Sequence, residues 1–304
     1  MRNTLANKGI LYGIGAYALW GFFPIYWKFL HDVPALQVIG HRIGWSFLLL
    51  LAYIVLTGQW QAFRSTAFKW RTVGIYSIAA VLLSFNWLIY VWGVNAGFIV
   101  ETSLGYFINP LLSVLLGVIF LRERLRPMQW IPIGLAAVGV GYLTFAYGSL
   151  PWIALSLAFT FGFYGFVKKL SPLGSLYGLT LETAIVFPVA LAYIMFVGFD
   201  GSGAFLRQGT QVDLFLVGAG VVTTIPLLMF ASAAKQIPLT VVGLLQYIAP
   251  TLQFLIGVFV YKEPFALSRL VGFGLVWVAL VIFAVENHLA NRMPMQPIPE
   301  LGED

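Results

Sequence analysis

The strongest constraint on this chain is a stretch that occurs twice. Residues 101–123 read Glu-Thr-Ser-Leu-Gly-Tyr-Phe-Ile-Asn-Pro followed by Leu-Leu-Ser-Val-Leu-Leu-Gly-Val-Ile-Phe-Leu-Arg-Glu. Set without gaps against 244–263, residues 104–123 are identical at eight of twenty positions, among them Pro110 with Pro250, Gly117 with Gly257 and Glu123 with Glu263. The stretch is apolar and long enough to cross a bilayer, for which about twenty residues suffice. It nonetheless carries a carboxylate, an amide and a helix-breaking proline. Its recurrence predicts two halves of one fold.

Composition identifies the solvent. Hydrophobic residues make up 60% of the chain and charged residues 9%, with a mean hydropathy of +0.90, far from the roughly 25% charged residues of soluble proteins. The expectation is an all-α integral membrane protein. Ten apolar runs are expected to span, at 9–29, 36–56, 72–92, 98–121, 128–146, 152–167, 176–197, 214–234, 238–261 and 267–285. The turn at Gly148-Ser149-Leu150-Pro151 divides them into a first repeat, 1–148, and a second, 149–287, followed by a Pro-rich, acidic, disordered tail at 288–304. Residues 57–71 read as a loop whose Trp60 and Trp70 suit a membrane interface. In the fifth run, Ala137 with Gly141 gives a small-xxx-small spacing for close helix approach.

Positive charge orients the spans. With the N-terminus inside, the cytoplasmic segments collect twelve of the 17 lysines and arginines, including Arg64, Lys69, Arg71, Arg122, Arg124, Arg126, Lys168, Lys169 and Lys235. Lys28, Arg207, Lys262 and Arg269 fall outside and Arg42 is left within the membrane, an asymmetry that obeys the positive-inside rule. Five spans per half make the second copy run the opposite way. Inverted repeats of this kind are typical of secondary transporters.

Other functions find little support. There is no His-Glu-x-x-His, Gly-x-Ser-x-Gly or Walker A spacing, His31, His41 and His288 are scattered, and the absence of cysteine removes thiolate catalysis and Cys-ligated zinc. No catalytic residue, metal or cofactor is expected. A channel would require a ring of charges or carbonyls, which the sequence does not show. A non-transporting sensor or structural membrane protein is the alternative, although no soluble signalling domain accompanies the spans.

Trp20-Gly21, His41-Arg42 with Trp45-Ser46, Asn86-Trp87, residues 101–110, Arg122-Glu123-Arg124 with Met128-Gln129-Trp130, Thr223-Thr224-Ile225-Pro226 and Gln246-Tyr247-Ile248-Ala249-Pro250 resemble the RarD group of EamA-type permeases over nearly the whole chain. The resemblance implies the drug/metabolite transporter superfamily: ten-helix inner-membrane carriers, mostly exporters of small metabolites, amino acids or toxic compounds. Relatives often place an acidic residue four positions before the His-Arg pair; here it is Gln37. Expected partners are a small-molecule solute, membrane lipids, coupling protons and, as one option, a second copy in a homodimer. Nucleic acid is not expected.

The candidate substrate-binding or coupling residues are Glu101, Arg42, His41, Glu182, Trp20, Asn86, Trp87, Tyr106, Asn109, Pro110, Thr223, Thr224, Gln246, Tyr247 and Pro250. A charge at mid-membrane costs roughly 2.5–3.5 kcal/mol on insertion scales, so retained charges face a cavity or a partner. Glu101, Gly105, Ile108 and Leu112 share one helical stripe with Asn109 on its edge, which lets a carboxylate suited to proton coupling look into one cavity; the bland reading is an interfacial Glu that reaches water. Arg42 has three outcomes: snorkelling, pairing with Glu182 from the symmetry-related span, or pairing with Glu101. Pro110, Pro250 and Pro226 free the carbonyls of Tyr106, Gln246 and Val222, tolerated at membrane depth only beside protein or a wet cavity. His41 reads first as a packing residue. Trp20, Trp45, Trp87 and Trp92 read either as an aromatic wall or as lipid-facing and core residues.

Overall fold

A computed structural model describes residues 2–96, 98–148, 150–262 and 267–292. All regular structure in them is helical, as a bilayer requires of a chain whose backbone groups must be satisfied internally. The helices are α1 (Arg2–Gly21), α2 (Phe23–Lys28), α3 (Ala35–Leu56), α4 (Trp60–Ala67), α5 (Trp70–Asn95), α6 (Ile99–Ile119), α7 (Trp130–Tyr147), α8 (Trp152–Leu170), α9 (Ser175–Asp200), α10 (Thr210–Gln236), α11 (Leu239–Leu245), α12 (Ile248–Leu255) and α13 (Leu267–Arg292). Among the described residues, eight segments are long and apolar enough to cross a membrane, and two shorter apolar ones, Leu104–Ile119 and Gly274–Phe283, lie in α6 and α13. This is a multi-pass membrane protein.

Four sequence expectations need correction. Residues 57–71 are not all loop, because α4 forms there and buries Phe63 and Ala67 against α9 while leaving Trp60 and Trp70 exposed. The first expected span is two helices: α1 stops at Gly21, and α2 restarts with Pro24 in its first turn, where a missing N–H is harmless. The ninth is interrupted at Gln246 and Tyr247 and ends in a π-type turn at Ile256–Val260. Finally, α13 runs on to Arg292, so helix extends into the expected tail; residues 293–304 lie outside the described part.

Helix partners exchange in pairs between the two halves. α1 packs on α10 and on α11 and α12, while α8 packs on α5 and α6; α3 meets α9 and α10, while α9 meets α3 and α5; α6 meets α11, and α7 meets α13. Glycines admit the closest crossings. A Cβ on Gly220 would sit 2.5 Å from Trp45 Cβ, and one on Gly243 would sit 2.7 Å from the Pro110 carbonyl oxygen. The α7–α13 contact uses Gly139, facing Leu275 and the Gly272 carbonyl, and not the expected pair, since Ala137 is exposed and Gly141 meets nothing.

The connection after α9 is tied down. Gly201 takes φ 86° to end the helix, and Arg207 donates to the carbonyls of Gly201 and Gly198 at 2.6 and 2.9 Å. Buried Gln37 then clamps the loop from α3: its Nε2 donates to the Ser202 carbonyl at 2.9 Å, and its Oε1 accepts from the Ala204 N–H at 2.8 Å. An amide does both at once; an ionised carboxylate only accepts.

Candidate functional site

A cavity of about 330 Å³ lies where the interrupted helices meet α3, α5, α6 and α8. Two proline breaks shape it. Pro24 cannot donate to the carbonyl of Trp20, and that oxygen instead accepts from Gln253 Nε2 of α12 at 3.0 Å. Gln253 thus replaces the missing backbone donor from across the cavity. Pro250 likewise leaves the Gln246 carbonyl, but the Ala249 N–H takes it at 3.3 Å in a tight turn, so this freed carbonyl is not an open cavity group. The equivalent Pro110 is buried inside an uninterrupted α6. Symmetric prolines therefore give asymmetric helices.

Eight of the candidate residues line this cavity: Arg42, Trp20, Asn86, Trp87, Tyr106, Asn109, Gln246 and Pro250. Arg42 is held on three sides. Its Nε donates to Thr223 Oγ1 at 2.9 Å, and its guanidinium lies 4.4 Å from the Trp87 ring centroid and 4.9 Å from that of Trp27. The two indoles attract the cation without accepting its hydrogen bonds. Its snorkelling and Glu182-pairing outcomes are both replaced by this arrangement.

Amides supply the rest of the polarity. Asn86 Nδ2 donates to the Leu157 carbonyl and to Thr160 Oγ1, each at 2.9 Å, which uses both its N–H groups and leaves Oδ1 as the free end. Gln246 Nε2 donates to Ser113 Oγ at 3.0 Å, while Gln246 Oε1, Asn109 Oδ1 and the Tyr17 hydroxyl are buried without a hydrogen-bond partner. Trp20 and Phe161 line the cavity with ring centroids 5.9 Å apart, and behind them Tyr164 is stacked on Phe230 at 5.8 Å in the core. Of the expected stripe, Gly105 and Asn109 reach the cavity, whereas Ile108 packs towards α7 and α13 and Leu112 lies against Gly162.

Several candidates sit elsewhere. His41 is buried with its ring 5.1 Å from Phe205, in the packing role. Tyr247 donates to the Phe107 carbonyl at 3.2 Å inside the α6–α11 core, and Thr224 is buried outside the cavity lining. Trp45 packs on Gly220 and Phe205, and Trp92 is exposed beside Phe98 and Trp152. Glu101 stands in the first turn of α6, but its side chain is outside the described part.

Glu182 has a different partner from the one expected. Lys168 Nζ donates to Glu182 Oε1 at 2.6 Å, and Tyr164 donates its hydroxyl to Oε2 at 3.2 Å, with both charged side chains buried. The positive-charge pattern places Lys168 among the cytoplasmic charges, whereas the fold buries it. Its neighbours are also engaged: Lys169 donates to the Ala234 and Ile237 carbonyls, Lys235 to those of Ser171 and Leu173, and Glu123 accepts the Leu239 and Thr240 N–H groups at 2.7 and 2.9 Å. Glu182 and Arg42 both border a narrow cleft with Thr223 and Leu227 next to the main cavity.

Sequence reading missed Tyr17, Phe23, Trp27, Tyr90, Phe161 and Gln253 in the lining. For Trp27 and Gln253 a signal existed. Pro24 sits four residues after Trp20 and so demands a substitute donor; Trp27 lies one turn beyond Pro24.

The EamA-like transporter family model matches residues 7–145. A Bacillus subtilis (strain 168) protein described as "Uncharacterized transporter YojE" is 47% identical over 93% of this chain and 95% of its own length. The Escherichia coli (strain K12) "Protein RarD" is 39% identical over 94% and 97% respectively. A solved crystal structure aligns with a TM-score of 0.69 over 93% of this chain and 99% of its own, at 20% identity, which shows a shared fold. With its helices, its broken spans and these relatives, the chain belongs to the EamA-like transporter family.

Proposed function

We propose that the chain is a secondary-active carrier, working as an exporter, that moves a small organic solute through the 330 Å³ cavity by alternating access. Ten transmembrane helices form two five-helix repeats of inverted topology, 1–148 and 149–287, with both termini cytoplasmic in an inner membrane. The observation that carries this reading is where the cavity lies. Positions related by the repeat line it in pairs: Trp20 with Phe161, Tyr106 with Gln246 and Asn109 with Ala249 all contribute to its wall. The paired exchange of helix partners supports the same two-fold relation. Inverted-repeat carriers bind solute at such a junction, beside broken helices.

Most of the lining residues lie in the helix halves that the charge count places outside. The opposite half is closed by the Tyr164–Phe230 stack, the Lys168–Glu182 pair and Glu123 on the start of α11. An outward-open arrangement accounts for both. Glu101, one turn before Gly105, is the proposed proton-coupling carboxylate.

The absence of cysteine from the chain gives a direct test. Ala249→Cys puts one thiol on the cavity wall, and a bulky maleimide attached there is expected to stop solute flux in proteoliposomes while leaving the thiol-free parent unaffected. Full flux after complete labelling would remove the cavity from the transport path.

A further inference from the structure

Away from the cavity, we infer that α4 and the residues just after it form a docking surface for anionic phospholipid: Arg64, Lys69 and Arg71 take the headgroup phosphates, and Trp60, Phe68 and Trp70 enter the layer beneath them. This surface has no part in the solute site, so it stands apart from what the carrier moves.

One side of α4 is anchored and the other is open. Phe63 and Ala67, one turn apart, are buried in a cluster with Ile54, Tyr76, Leu173 and Leu181. Phe63 meets the Tyr177 ring in a T-shaped contact at 5.6 Å, and Gln59 Oε1 accepts the Tyr177 hydroxyl at 3.0 Å. The helix is thereby held between the end of α3 at Leu56 and the start of α5 at Trp70, both of them segments long and apolar enough to span. Its place is where the bilayer meets water. Phe68 is 59% and Trp70 89% exposed there, and Trp60, Arg64, Lys69 and Arg71 are exposed as well. Indoles concentrate in that interfacial layer.

The three cations lack a counter-charge. No Asp or Glu occurs between Asp32 and Glu101, and none of the three cations has an ion-pair or side-chain hydrogen-bond partner among the described residues. Elsewhere among the cations that the charge pattern groups with them, Lys168, Lys169 and Lys235 are bonded within the protein, Arg126 pairs with Glu286 at 2.9 Å, and Arg122 and Arg124 flank Glu123 in the sequence.

The other half of the chain provides an internal comparison. The offset that pairs Trp20 with Phe161 sets Gly201, Phe205, Thr210, Gln211 and Val212 where Trp60, Arg64, Lys69, Trp70 and Arg71 stand. The lone cation of the connection at 201–209, Arg207, is bonded to the carbonyls of Gly201 and Gly198. A positive-inside bias accounts for cations on one side; it requires neither a helix nor two tryptophans beside them. Cations interleaved with interfacial aromatics attract anionic headgroups, each Lys or Arg near the surface strengthening binding about fivefold. A zwitterionic headgroup carries its own cation next to the phosphate and gains far less.

The test uses the purified full-length Ser65→Cys protein, labelled with a fluorophore at its only thiol on the open side of α4. It is placed in phosphatidylcholine nanodiscs that hold equal small fractions of either phosphatidylglycerol or phosphatidylcholine with a nitroxide near the carbonyl end of one acyl chain, and quenching reads which lipid is enriched at α4. Phosphatidylglycerol is expected to be preferred about fivefold or more at low salt, and less as salt is raised. The preference should vanish in the same protein carrying Arg64→Gln, Lys69→Gln and Arg71→Gln, and a label at Ser202→Cys in the opposite connection should show none. Equal quenching by the two lipids at Ser65→Cys, no quenching by either, a preference that survives the triple variant, or one of the same size at Ser202→Cys overturns the inference. A preference that emerges only once Glu300→Gln, Glu303→Gln and Asp304→Asn neutralise the acidic end of the chain overturns it too, and gives the surface to that segment instead.

Discussion

Lys168 and Glu182 form an ion pair of 2.6 Å in which neither side chain reaches solvent. They come from consecutive helices, α8 and α9, and Tyr164 completes the carboxylate through its second oxygen. Breaking a buried pair by removing one member strands the other charge, at a cost of about 3–5 kcal/mol. Lys168→Met and Glu182→Gln are each expected to lower the melting temperature in detergent strongly, and the double variant to recover most of the loss. Additive losses in the double variant would show that the two residues act separately.

The compensation at the first helix break allows a sharper test. Gln253→Leu orphans the Trp20 carbonyl, which Pro24 cannot serve, and an unsatisfied buried acceptor costs about 1–3 kcal/mol. Pro24→Ala restores a backbone N–H at the position that would close the helix onto Trp20. The double variant should therefore be more stable than Gln253→Leu alone. If Pro24→Ala adds to the damage instead, the break has some other cause than the missing donor.

Gln37 offers a comparison between two side chains of the same shape. Gln37→Glu keeps the bond from the Ala204 N–H but sets a carboxylate oxygen against the Ser202 carbonyl, where a donor now stands. A loss of about 1–3 kcal/mol is expected at neutral pH, visible as a lower melting temperature and faster proteolysis of the loop at 201–209. Equal stability of the two proteins would mean that the clamp contributes nothing to the loop's order.

These relationships also mark how far the sequence could be read. Membrane character, helical spans and the duplicated stretch were legible because hydropathy and a repeated pair of prolines act locally. Arg42, Asn86, Asn109 and Gln246 were legible as cavity residues because a polar side chain in a span has to face something. Which partner each charge takes was not legible. Lys168 lies at a helix end that looks like surface, and only the packing of both α8 and α9 against α5 and α10 encloses it with Glu182. The different fates of Pro110 and Pro250 were hidden too, since the same residue inside an apolar run gives a continuous α6 in one half and the α11–α12 break in the other.

Topology can be checked with single cysteines in this thiol-free chain. Ser65 lies exposed in α4, and Ser202 lies exposed in the connection after α9. The charge asymmetry puts them on opposite sides, so a membrane-impermeant maleimide applied to intact cells should label Ser202→Cys at once and Ser65→Cys only after permeabilisation. Labelling of both from outside would overturn the inverted arrangement of the two repeats.

The last test concerns coupling, for which Glu101 is the proposed group. A carboxylate in the first turn of α6, one turn from Gly105 at the cavity wall, changes charge when it exchanges a proton and so alters the stability of an open cavity against a closed one. Glu101→Gln keeps the volume and the hydrogen-bonding capacity but cannot release that proton. Accumulation against a gradient in proteoliposomes with an imposed pH difference is therefore expected to fail. Exchange of labelled for unlabelled solute at equal pH, which needs binding and reorientation but no net proton movement, is expected to persist. Loss of both activities would assign Glu101 to solute binding or folding. Retention of uphill transport would remove it from coupling altogether and turn attention to Glu182, which borders the cleft shared with Arg42.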